Sequence, residues 1–452
     1  MNSLSKGELL GVGLMMFSIF FGAGNLIFPP ALGQAAGENV VPAMAGFLIT
    51  GVGLPLMGIA AIAMQGGKYI EFISRITRPA FATALLVILY LTIGPMFAVP
   101  RTGAVSFEIG IRPFLTEDTM TIGQAIYTAF FFGATYWLAL NPSKLIDRVG
   151  KMLTPVLLVF LVIMFLRAFG APLGDIMPAI GPYVESAFAQ GFQDGYQTMD
   201  LLASIAIGTL VVNAVRERGV SGSKALGRVC LVSGLIALCL MSLVYGSLAY
   251  LGATSASVLG HSANGGQLLA SAVGIFFGPA GNLLLAVIIA LACLTTSCGI
   301  ISGTAWFFNK LLKNKIEYKN LLRFGVAFSF VVSNIGLTQI IALAVPFLVG
   351  IYPLVIVMVV LSLFHGFIGE RRAVYRWALD FTLAFAVVDA LNAAGFQLTV
   401  LNNVLSQYVP FYSLMLGWLL PAIAGAGIGL ALSFLRGEAA ALEGDSQTVD
   451  LN

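Results

Sequence analysis

Apolar runs of bilayer length recur along this whole chain, and no other feature narrows its fold as much. They cover residues 9–35, 40–64, 80–106, 120–140, 152–169, 191–214, 229–252, 279–309, 322–338, 341–366, 377–399 and 412–435. A helix needs about 20 predominantly apolar residues to cross the hydrocarbon core. In lipid the backbone must satisfy its own hydrogen bonds, so such runs are read as helices. The expected class is an all-α polytopic membrane protein with twelve transmembrane helices. Residues 252–278 are too polar for a span and read as an external loop with a short helix. Composition agrees: only 10% of the 452 residues are charged and 59% are hydrophobic, against about 25% charged in soluble proteins. A soluble globule, a disordered chain and a disulfide scaffold are excluded. Residues 1–8 are short and polar, and no cleavable signal peptide is expected. Cys230, Cys239, Cys293 and Cys298 lie in apolar runs and are expected to act as small packing residues.

The basic residues orient the spans. With the N-terminus inside, every Lys and Arg except Arg101, Arg112 and Arg167 falls at an inner loop or terminus. Positive loops stay on the cytoplasmic side, so both termini are expected there. The polar, acidic tail at 437–452 is expected to be a disordered cytoplasmic end.

Two spans carry anomalies. The first contains Ser18-Ile19-Phe20-Phe21-Gly22-Ala23-Gly24-Asn25-Leu26-Ile27-Phe28-Pro29-Pro30. Gly22 and Gly24 leave helical geometry cheaply. Either the helix breaks here around a site, or it stays intact with a small-residue patch for close packing. The sixth contains Gly191-Phe192-Gln193-Asp194-Gly195-Tyr196-Gln197-Thr198-Met199-Asp200. An ionisable residue inside a span is costly and usually functional; alternatively, Asp200 sits at the interface. The first and sixth spans run in opposite directions, as two inverted five-helix repeats would place them. Interrupted helices at matching positions of two repeats point to a transporter's midplane site. A half-helix beginning near Gly24 would present the amides of Gly24, Asn25 and Leu26 to an anion. One ending near Phe21 would leave carbonyls for an ammonium or Na⁺. A zwitterion, and hence an amino acid, suits both.

The eighth span holds Thr295, Thr296 and Ser297 in a row. Three hydroxyls could bind a small cation, or bond back to the preceding turn. In the third span Arg101 and Glu108 are about two turns apart. They read either as a candidate outer gate or as a structural ion pair or snorkelling ends.

The motifs Phe21-Gly22-Ala23-Gly24-Asn25-Leu26-Ile27-Phe28-Pro29-Pro30, Pro100-Arg101-Thr102-Gly103 with Ser106-Phe107-Glu108, and Gly191-Phe192 through Tyr196-Gln197-Thr198-Met199-Asp200 resemble those of the bacterial branched-chain amino acid:cation symporter family, the BrnQ-type carriers. That family is similar to the amino acid–polyamine–cation superfamily with its LeuT-like inverted-repeat fold. The resemblance implies repeats over 7–170 and 191–366, with two extra helices over 377–436. It implies import of Leu, Ile and Val driven by Na⁺ or H⁺. It places the substrate carboxylate near the amides of Ala23, Gly24 and Asn25. Tyr196, Gln197, Thr198 and Asp200 complete the implied substrate set, with Asp200 pairing the substrate amine or carrying a coupling proton. It implies a Na⁺ site from the hydroxyls of Thr295 and Thr296 and the carbonyls of Ser18, Phe21 and Ala292, and that hydroxyl pair favours Na⁺ over H⁺. The side-chain pocket is expected from the third, sixth and eighth spans, with Gly94, Met96 and Phe97 at mid-depth.

Other classes fit less well. No GxxxxGKT phosphate loop is present for ATP-driven transport. Only two His occur, far apart, which disfavours a membrane enzyme. A channel would require a pore lined by repeated carbonyls or rings of charge. The closest rival is a same-fold cation symporter for another amino acid or a nucleobase. No cofactor beyond the coupling ion and no nucleic-acid partner is expected.

Overall fold

A computed structural model describes residues 4–140, 145–396 and 398–435. All regular structure among them is helical. The helices are α1 (Lys6–Phe20), α2 (Ala23–Ala36), α3 (Val40–Leu48), α4 (Leu54–Met64), α5 (Tyr69–Ile76), α6 (Pro79–Leu91), α7 (Ala98–Gly110), α8 (Glu117–Ala139), α9 (Leu145–Gly170), α10 (Tyr183–Asp194), α11 (Asp200–Glu217), α12 (Ser223–Ala253), α13 (Ala256–Leu259), α14 (Gly265–Leu311), α15 (Tyr318–Ser333), α16 (Leu337–Leu363), α17 (His365–Ile368), α18 (Arg372–Ala393), α19 (Thr399–Tyr408) and α20 (Leu419–Leu435). Each apolar segment of the sequence coincides with one helix or a pair. Among the described residues, five stretches are by themselves long and apolar enough to cross a bilayer, and the bent pair α10–α11 makes a sixth. The acidic tail at 437–452 lies outside the described residues.

The surface is that of a body dissolved in lipid. Phe130, Trp137, Leu243, Val331 and Phe434 are all largely exposed, where a soluble fold would hide them. The interior packs apolar side chains such as Phe17, Leu26 and Phe47 together with a minority of polar groups, and its helices approach closely through glycine. A Cβ on Gly33 would lie 1.9 Å from the Ala249 carbonyl oxygen, and one on Gly252 would lie 2.0 Å from that of Pro30. These two contacts clasp α2 against α12. A third, from Gly265 to the Ile27 carbonyl at 1.8 Å, presses the start of α14 onto α2. Gly425 and Gly429 seat α20 on α18 in the same way. Without a hydrophobic force between helices in lipid, such contact is what holds a bundle together.

The structure corrects two expectations and adds one bend that the sequence reading does not contain. Residues 265–277 are not a loop: they are helical, bury Leu268, Leu269, Ala272 and Val273, and join the eighth span at a kink at Gly278. The third span is not straight. A π-turn at Thr92–Met96, with Gly94 non-helical and Pro95 inside, separates α6 from α7. Proline removes a helical donor and crowds the preceding turn, which accounts for the bend. Finally, Cys239 is exposed, unlike the buried Cys230, Cys293 and Cys298.

Candidate functional site

The first span breaks where its glycines are. α1 ends at Phe20; Phe21 (φ −74°, ψ 96°) and Gly22 (φ −123°, ψ −167°) are extended, and α2 begins at Ala23. The Gly22 N–H, which a continuous helix would give to the preceding turn, donates instead to Asn25 Oδ1 at 3.2 Å. The next amides, of Ala23, Gly24 and Asn25, have no helical acceptor. Further along, Pro29 and Pro30 have no N–H for the carbonyls of Asn25 and Leu26. The intact-helix alternative is set aside.

The sixth span breaks as well. α10 tightens into a 3₁₀ turn at Gly195–Thr198, Met199 takes the left-handed conformation (φ 61°), and α11 starts at Asp200. The two halves are bent by 44°. Thr198 Oγ1 donates to the Gly195 carbonyl at 2.9 Å and accepts from the Asp200 N–H at 3.4 Å. The second span supports this turn: it has its own π-turn at Ile49–Gly53. There Thr50 donates to the Phe192 carbonyl at 2.7 Å.

The two breaks meet. Asn25 Nδ2 donates to Asp200 Oδ2 at 2.6 Å and also to the hydroxyl of Tyr245 on α12. All three side chains are buried, so Asp200 is no interfacial residue. Tyr196 stacks on Tyr352 of α16, centroids 4.3 Å apart. Gln197 is buried, with its Oε1 unpartnered. Asn25, Tyr196, Gln197, Thr198 and Asp200 therefore gather in one place beside the first turn of α2.

The sodium set is gathered less completely. Thr296 lies against the first break, its Oγ1 3.5 Å from where a Gly22 Cβ would be. The Thr295 hydroxyl donates to the carbonyls of Ala292 at 2.9 Å and Leu291 at 3.1 Å, so its proton serves its own helix. Ser297 faces Thr135 of α8, whose hydroxyl donates to it at 3.3 Å. Phe21 is buried at the end of α1 and Ser18 is partly buried one turn before it.

Arg101 and Glu108 do not pair. Arg101 is buried at 4% exposure and reaches inward, its Nη1 donating to the Gln197 carbonyl at 2.7 Å. Its guanidinium also covers the Phe28 ring at 5.1 Å. Glu108 turns instead to Arg112 and to Asn264, whose Nδ2 donates to it at 3.0 Å. Seven residues of helix carry the two side chains about 10 Å apart along the axis. Gly94 packs against Thr304 and Phe97 against Phe347. Tyr245 escaped sequence reasoning, because a Tyr in an apolar run is an ordinary residue until its hydroxyl is seen to meet Asn25.

A family model described as branched-chain amino acid transport protein matches residues 5–436. The chain belongs to that family. It is a multi-pass membrane transport protein, not an enzyme. The branched-chain amino acid permease BraB of Bacillus subtilis (strain 168) is 47% identical over 96% of this chain and 98% of its own length. Among solved structures, MhsT in complex with L-phenylalanine superposes with a TM-score of 0.57 at 17% identity, over 94% of this chain and 98% of that one. Mhp1, a nucleobase-cation-symport-1 family transporter in a closed conformation with bromovinylhydantoin bound, gives 0.55 at 12% identity, over 97% and 94%. The fold is thus LeuT-like, and these likenesses extend to the fold alone.

Proposed function

We propose that this carrier imports leucine, isoleucine and valine by symport with a cation, Na⁺ in preference to H⁺, across the bacterial cytoplasmic membrane, with both termini inside. The observation that carries this reading is the meeting of the two helix breaks at Asn25 and Asp200. One break offers three amides without helical acceptors, and the other offers a carboxylate; Asn25 and Asp200, which join them, are both buried. A zwitterion's carboxylate binds the amides of Ala23, Gly24 and Asn25, and its ammonium binds Asp200. Tyr196, Gln197 and Thr198 form the adjoining wall. Na⁺ binds among Thr296, Thr295 and the carbonyls of Ser18, Phe21 and Ala292. The branched-chain substrate is supported by the family and by the printed name of the Bacillus relative.

Alternating access proceeds by rocking of the bundle that holds the first and sixth spans against the rest. The repeats run over 7–170 and 191–366, and helices over 377–436 lie outside them. Buried Asp200 joined to Asn25 lets arrival of an ammonium or a proton at the carboxylate be felt at once by α2.

The test is uptake of labelled leucine, isoleucine and valine into proteoliposomes under an imposed Na⁺ gradient or an imposed H⁺ gradient. Accumulation under the Na⁺ gradient is expected. Failure of all three substrates under both gradients sinks the reading; uptake driven by H⁺ alone removes the sodium assignment and leaves Asp200 as the coupling group.

A further inference from the structure

Arg101 is a buried cation with no carboxylate in direct contact among the described residues. Its exposure is 4%, and among the described residues no carboxylate lies within 4.0 Å of it. Asp200 is the acidic side chain that acts on it across the break, but Asp200 is itself bonded to Asn25. A guanidinium carries five N–H donors in a planar fork. Here Nη1 serves the Gln197 carbonyl, whereas Nε is buried with no acceptor. Burying an ion with most of its donors idle is costly unless something of opposite charge completes it.

The position of the guanidinium tells what that would be. Nη2 lies 2.9 Å, and Cζ 3.4 Å, from where a Cβ of Gly24 would be. The fork therefore lies directly over the first turn of α2, where the amides of Ala23, Gly24 and Asn25 have no helical acceptor. Gly24 is the residue that makes room for it. Phe28, one turn further along α2, supplies the ring on which it rests. A positive fork and the positive end of a helix, side by side and both unsatisfied, are a receptor for one planar anion.

We propose that Arg101 binds the substrate's α-carboxylate together with the α2 amides, so that the free carboxylate is recognised by a side chain of the third span. This rests on the amino-acid reading of the site given above. It adds that the ligand is held by two opposite protein charges, Arg101 for the carboxylate and Asp200 for the ammonium. Because Arg101 Nη1 also holds the Gln197 carbonyl, an arriving carboxylate ties the first, third and sixth spans to one another. Amides and esters of the same amino acids, which lack the anion, are rejected.

The experiment is competition against labelled leucine uptake in proteoliposomes, with unlabelled leucine and leucinamide as probes. The wild-type protein is expected to prefer leucine over leucinamide by at least about 100-fold, since a site built for a polar group penalises its loss heavily. In Arg101→Gln the leucine KM is expected to rise at least about tenfold and the leucine-to-leucinamide preference to fall below about threefold, as a charge-assisted bidentate contact is lost. Arg101→Lys keeps the charge without the fork; its KM is expected to rise while leucine remains preferred. Equal competition by leucinamide in the wild type, or a wild-type preference retained in Arg101→Gln, overturns the assignment. Should the Gln variant not reach the membrane, an unchanged leucine KM in Arg101→Lys overturns it instead. Leucine uptake by the wild type tests the transport reading separately, so the two failures are distinguishable.

Discussion

The crossing of α2 and α12 supports a sharp test, because one helix supplies both the variant and its control. Gly252 and Gly246 both lie in α12. A methyl group at Gly252 would stand 2.0 Å from the Pro30 carbonyl oxygen and 2.8 Å from its carbon, whereas one at Gly246 would meet nothing within 4 Å. Ordinary carbon–oxygen contact begins above 3 Å, so Gly252→Ala must part the two backbones by about 1 Å in an interior packed at crystal-like density. Neither obstacle is a flexible side chain. Overpacking of this kind costs about 1–3 kcal/mol, and a backbone–backbone clash belongs at the upper end. Parting the helices also opens the neighbouring contact from Gly33 to Ala249, and it moves Tyr245 on α12 away from Asn25 on α2. In detergent-purified protein, Gly252→Ala should lower the thermal midpoint by at least about 3 °C, allowing for the size of the chain. Leucine uptake should fall with it. Gly246→Ala should leave both near wild type. Equal shifts in the two variants, or no shift in Gly252→Ala, would refute the close-packed crossing.

Three further outcomes are expected. Asn25→Ala removes bonds to the Gly22 N–H, to Asp200 and to Tyr245, and buried groups left without partners cost about 1–3 kcal/mol each; uptake should be abolished and the thermal midpoint lowered, and near-normal values for both would show that Asn25 does not join the breaks. Asp200→Asn should abolish uptake or uncouple it from the ion, which is checked by comparing uptake with and without the ion gradient; near-normal gradient-dependent uptake rules out its role. Thr296→Val should raise the Na⁺ concentration for half-maximal uptake by about tenfold, as expected for loss of one hard oxygen ligand, and more than Thr295→Val, whose hydroxyl is engaged with its own helix; equal, unchanged values would remove this run from the sodium site.

Much of the architecture was legible because lipid leaves the backbone few choices. Long apolar runs must be helices, and each of them is. Gly22 and the Gly195-to-Asp200 stretch announced breaks, because glycine and buried charge are expensive in a span without a reason. The bend at Gly94-Pro95 carries the same kind of signal, a glycine and a proline inside one apolar run, but no break is read there from the sequence. The helix over 265–277 was hidden by its moderate polarity, which suits a segment packed on α2 rather than one facing lipid.

Arg101 marks the boundary between the two kinds of knowledge. Spacing along one helix put it with Glu108, and in a straight helix that was the natural association. Only the tertiary structure shows it turned toward Gln197 and Gly24, which lie 173 residues apart in the sequence. The sequence by itself determined the solvent, most of the helices, the candidate breaks in the first and sixth spans and the short roster of polar residues inside, since each of these follows from local composition against a hydrocarbon background. Which of those residues meet was decided by close helix crossings at Gly33, Gly252 and Gly265. Such meetings depend on how distant segments pack, and no local pattern of residues records that.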